Sequence, residues 1–120
     1  MALVAVAEEA SKAFVAHRFK NDGVRSVAVG FGASLASVEA VNWLFVPHAS
    51  EVFPQLSAAG VLAADALYIA GEYVSGFVFH AITLAVYTKL WIIKRHDWLI
   101  VSVALLCALH WLLNTMVRAS

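Results

Sequence analysis

Three apolar runs dominate the chain, at 25–46, 73–93 and 98–117, with short polar punctuation between them. Each is about twenty residues long, the length a helix needs to cross a ~30 Å hydrocarbon core at ~1.5 Å per residue. Residues 2–20 are patterned differently. Leu3, Val6, Ala10, Phe14 and His17 recur at helical spacing, with Glu8, Glu9, Lys12 and Arg18 set between them. That periodicity predicts a short amphipathic helix. Placed just before an apolar run, it is expected to lie along a membrane surface or against a partner; an ordinary solvated helix is the alternative. Asn21-Asp22-Gly23 predicts a turn, and Pro47 to Gln55, which holds both prolines, predicts a loop.

The stretch 56–93 carries no proline and is too long for one crossing. Either 56–72 is a separate interfacial or re-entrant helix, or it extends the second span out of the bilayer. The pattern as a whole therefore predicts an all-α integral membrane protein. It has three transmembrane helices and an N-terminal amphipathic helix in one membrane domain, 1–120.

Charge adds a direction. Lys12, Arg18, Lys20 and Arg25 precede the first span, and Lys89, Lys94 and Arg95 cluster at the turn between the last two. The 47–55 connection has neither Lys nor Arg. The positive-inside rule then predicts a multi-pass chain with its N-terminus inside and its C-terminus outside. A bacterial inner membrane and an organellar inner membrane fit equally. Composition agrees: 62% of residues are hydrophobic and 13% charged, against about 45–50% and about 25% in soluble domains. Formal net charge is zero, which gives no footprint for nucleic acid. The single Cys107 excludes an internal disulfide. Glu8 and Glu9 interrupt the place where an export signal would be apolar, so the mature chain is expected to begin at or near Met1.

Candidate chemistry lies within the spans. Glu39, His80 and His110 each fall about 12 to 13 positions from the inner end of their run, or about 18–20 Å deep. Intramembrane ionisable groups are rare and costly, so a shared level points to a site or to a packing device. His80 and His110 also flank residue 95 symmetrically, which predicts equal height in an antiparallel hairpin. Two such imidazoles could serve as axial ligands of haem b, with a quinone site nearby. Glu39, His80 and His110 could instead form a proton relay or a three-ligand metal set. Asp65 and Glu72 continue a polar stripe to His80 that could line an ion path, and Asn42 and Asn114 lie one turn beyond the belt. Ser26, Gly30 and Ser34, spaced by four, predict a close helix–helix contact. No hydrolase nucleophile set and no phosphate-cradling loop is visible.

The outline resembles the small membrane-anchor subunits of succinate dehydrogenase, in Val24-Arg25-Ser26 at the start of the first span and His80 on the second. It departs from them at Leu84, where glycine would stand, and at Tyr87-Thr88-Lys89, where an Asp-Tyr pair would close the span. The resemblance is one of architecture, and small phage holins share the same outline. The expected function is a non-enzymatic membrane subunit packed against copies of itself or other membrane subunits. A haem b/quinone anchor and a proton- or cation-conducting protein are the alternatives.

Overall fold

The computed structural model describes residues 2–43 and 54–119, apart from the side chains of 42, 43, 114 and 117–119. Within those residues the chain is helical and contains no strand. Helix α1 is Ala2–Phe19, α2 is Val24–Trp43, α3 is Ala58–Ile92 and α4 is His96–Ala119. Windows in α2, α3 and α4 (Val24–Val41, Ala58–Ile92 and His96–Leu113) are long and apolar enough to cross a membrane. The end of the first apolar run, most of the 47–55 loop and the side chains of Asn42 and Asn114 lie outside the described residues.

Local chemistry sets the helix ends. After α1 a single 3-10 turn, Lys20–Asp22, leads to Gly23 at φ 90 and ψ 150, a conformation essentially reserved for glycine. The Gly23 carbonyl then accepts the Val27 amide at 3.2 Å and opens α2. Ser57 caps α3, its Oγ accepting the Gly60 amide at 3.2 Å. No break divides α3. Where the sequence allowed two segments, 56–72 and 73–93, there is one helix of 35 residues, about 52 Å long at ~1.5 Å per residue. It ends in a Schellman turn: Arg95 N–H donates to Leu90 O at 3.0 Å and Lys94 N–H to Trp91 O at 3.2 Å. Lys94 takes the left-handed position, φ 55, that glycine usually fills.

Two compact units make up the chain: residues 1–29 with 82–120, and residues 30–81. In the first, α1 runs beside α4 and the last third of α3. Ala16, Tyr87 and Leu99 form its apolar core, with Ala13, Leu90, Trp91, Val103 and Leu106 against them. The face of α1 that turns inward is Ala5, Glu9, Lys12 and Ala16, at steps of four, three and four. Leu3 is 83% exposed and Phe14 68%, whereas Glu9 and Lys12 are at most 2% exposed. The periodicity of residues 2–20 is helical as read, but its apolar stripe points away from the chain's own interior.

In the second unit, α2 and α3 pack antiparallel through small residues. A side chain at Gly32 would meet the Ala81 backbone at 3.1 Å, and one at Gly76 would meet Glu39 Oε2 at 2.7 Å with Ala36 just behind. Such close approach is the usual device of helices that associate without help from water. The stripe singled out in the sequence is not the one used. Ser26, Gly30 and Ser34 are exposed; nothing lies within 4 Å of a Cβ built at Gly30, and Ser34 Oγ bonds back to the Gly30 carbonyl at 2.9 Å.

Candidate functional site

The first unit buries an ionisable cluster built by α1, α3 and α4. Glu9 is its centre. Its Oε1 receives Lys12 Nζ at 2.6 Å and faces His110 Nδ1 at 3.1 Å; its Oε2 accepts the Tyr87 hydroxyl at 2.7 Å. Lys12 Nζ also reaches Glu8 Oε1 at 3.0 Å, and His110 Nε2 lies 3.6 Å from Glu8 Oε2. Helix geometry explains the local part, because Glu8 and Glu9 stand four and three residues before Lys12 and so share its face. Tyr87 and His110 come from helices that pack against that face.

Glu8, Glu9 and Lys12 bring two carboxylates and one ammonium together, and both ring nitrogens of His110 face carboxylates. A buried carboxylate with three donors has its lone pairs well used, which is the condition under which buried charge is tolerated. Trp91 extends the contact toward the end of α1, its Nε1 donating to the Ala13 carbonyl at 3.1 Å. Its ring lies 4.4 Å from His17 and 4.9 Å from His96, centroid to centroid.

The second unit holds a smaller polar contact. His80 is buried, and its Nε2 lies 3.1 Å from Glu39 Oε1. The missing side chain at Gly76 makes the room that the Glu39 carboxylate occupies. Asp65 and Glu72 are half-buried on α3, and Glu72 takes a hydrogen bond from Tyr68.

Of the residues read from the sequence, Glu39 and His80 are therefore brought together, and Asp65 and Glu72 are not part of that contact. His110 belongs to the other unit, where its partners are Glu8 and Glu9. His80 Nε2 and both ring nitrogens of His110 lie beside carboxylates. Sequence reasoning missed Glu8, Glu9, Lys12 and Tyr87. The available signal was a Glu-Glu-x-x-Lys spacing on a helix that carries a separate apolar stripe, Leu3-Val6-Ala10-Phe14. Comparison with protein-family models, with curated proteins and with solved structures gave no match.

Proposed function

We propose that this chain is a small multi-pass membrane protein that acts as a packing subunit of a larger membrane assembly, made of its own copies or of other subunits. Support for the membrane part comes from the reversed burial. Glu9, Lys12, His80, Thr83, Thr88 and His110 are inside, while Leu62, Leu67, Ile100 and Leu105 are each at least 65% exposed. Water would drive the opposite distribution, and hydrocarbon favours this one.

The observation that carries the packing role is the outward Ser26–Gly30–Ser34 stripe. The chain already uses Gly32 and Gly76 for its own close contact, so this second line of small residues on α2 is left for a helix of another subunit. Such a subunit needs no catalytic group, and its polar clusters hold its own helices together.

The test is a native gel of membranes solubilised in mild detergent. Gly30→Ile is expected to shift the chain from an assembly to a smaller species, while Leu67→Ile at another exposed position leaves the assembly intact. A wild-type chain that runs as a monomer, or an assembly indifferent to Gly30→Ile, would contradict the proposal.

A further inference from the structure

Helix α1 is too charged to count as a membrane span by composition, because Glu8, Glu9, Lys12 and Arg18 interrupt it. Its position in the first unit says otherwise. Ala16 packs with Leu99 and Tyr87 near one end, and the Ala5 carbonyl faces Cys107 Sγ at 3.9 Å toward the other. The helix thus runs antiparallel to α4 over most of its length. Its 18 residues span about 27 Å at ~1.5 Å per residue, close to the ~30 Å of a hydrocarbon core.

Polarity completes the case. Three of the charges that disqualify α1 by composition, Glu8, Glu9 and Lys12, are paired with one another, with His110 and with Tyr87; the fourth, Arg18, is exposed in the last turn. Over its first four turns α1 shows its surroundings Leu3, Val4, Val6 and Phe14, all more than half exposed, with Ser11 the one exposed polar side chain among them and His17 and Arg18 exposed at the end. A helix with a paired polar face inside and an apolar face outside is dressed for lipid on the side the chain does not cover.

We propose that α1 is a fourth membrane-crossing helix, with acyl chains covering Leu3, Val4, Val6 and Phe14. The inference rests on the membrane reading above and goes beyond it. Its first consequence is topological. The start of α1 and the end of α4 lie on one side, opposite the Lys94–Arg95 turn, so the N-terminus is outside with the C-terminus. Arg18, Lys20, Arg25, Lys89, Lys94 and Arg95 stay together on the inner side, and the positive-inside rule is satisfied as well by four crossings as by three. Only Lys12 leaves that set, into the cluster. The second consequence is an order of events. Tyr87 and His110 are made last, so α1 enters the membrane after the α3–α4 hairpin is there to receive Glu9.

Site-directed spin labels in bilayers test the proposal, in a Cys107→Ser background with single cysteines at Phe14→Cys and, on α4, Leu105→Cys. Lipid against Phe14 gives strong relaxation by oxygen and weak relaxation by a water-soluble nickel chelate, as at Leu105. Strong nickel relaxation at Phe14 means water, and weak relaxation by both means protein cover, such as a second copy; either overturns the proposal. If Leu105 itself is reached by nickel, the membrane reading has failed, and not merely the place of α1. Sidedness gives the second readout. An impermeant maleimide is expected to label Ala2→Cys and Ser120→Cys from one face of oriented membranes and Lys94→Cys from the other. Ala2→Cys labelled from the same face as Lys94→Cys would overturn it. Adding His110→Leu is expected to lower the far-side labelling of Ala2→Cys several-fold, and unchanged labelling would refute the role of the cluster in insertion.

Discussion

The two units of this chain solve the same packing problem by opposite means. The first draws α1 onto α3 and α4 through charges: Glu9 gathers Lys12, His110 and Tyr87 within 2.6 to 3.1 Å. The second draws α2 onto α3 by leaving side chains out, at Gly32 and Gly76. Each contains a carboxylate–imidazole contact at 3.1 Å, yet the two are not equivalent. The Glu9 side chain is fully buried, whereas that of Glu39 is 39% exposed. An ion cluster concentrates the stability of an interface in a few atoms, and a glycine contact spreads it along the backbones. The first fails when one group is removed, and the second when one group is added.

The sharpest way to break the comparison is to remove each carboxylate. Glu9→Ala leaves Lys12, His110 and Tyr87 facing a void, and stranding a buried charge costs about 3–5 kcal/mol. Glu39→Ala removes a partly exposed partner and is expected to cost less than about 1 kcal/mol. Reversible unfolding in bicelles, followed by steric trapping, measures both; equal losses would erase the distinction. Next comes the addition of bulk. Gly32→Val drives a branched side chain against the Ala81 backbone, an overpacking cost of about 1–3 kcal/mol, while the same change at the open Gly30 leaves unfolding of the single chain nearly unaltered.

Smaller effects sharpen the picture. Lys94→Gly relieves a left-handed residue that belongs to neither packing device and is expected to stabilise the α3–α4 turn by about 1 kcal/mol. Gly76→Ala displaces the Glu39 carboxylate with little loss of stability, since a flexible end can move. The change should appear in the His80 ring resonances of the nitrogen-15-labelled protein, as loss of the carboxylate contact. A spectrum identical to wild type would mean that Gly76 does not set that contact.

Apolar length was plainly legible in the sequence, because about twenty residues without interruption admit few alternatives. The rotation of each helix was not. Residues 2–20 show two stripes, Leu3-Val6-Ala10-Phe14 and Ala5-Glu9-Lys12-Ala16, and helical periodicity separates them without saying which faces in. In water the apolar stripe turns inward; against hydrocarbon the polar one does. The N-inside expectation rests on the distribution of Lys and Arg and not on either stripe. The same ambiguity concealed which small residues on α2 make the internal contact, since Gly30 and Gly32 lie on different faces of one helix. His80 and His110 stood out as ionisable groups inside apolar runs, but their carboxylate partners depended on rotations that only packing fixes. Lys12 was counted among the surface basic residues because lysine is seldom buried, and a buried lysine announces itself only beside its acid.

The central claim is that α1 docks along α4 with its charged face inward, and proximity across that contact tests it most directly. With native Cys107 facing the Ala5 carbonyl at 3.9 Å, Ala5→Cys should cross-link to it rapidly within one chain in intact membranes under mild oxidation or with a very short thiol-specific reagent. Leu3→Cys, on the outward stripe, should not. Rapid cross-linking at Ala5 and none at Leu3 is the expected result. Cross-linking at Leu3 in preference to Ala5, or at neither, would contradict the account.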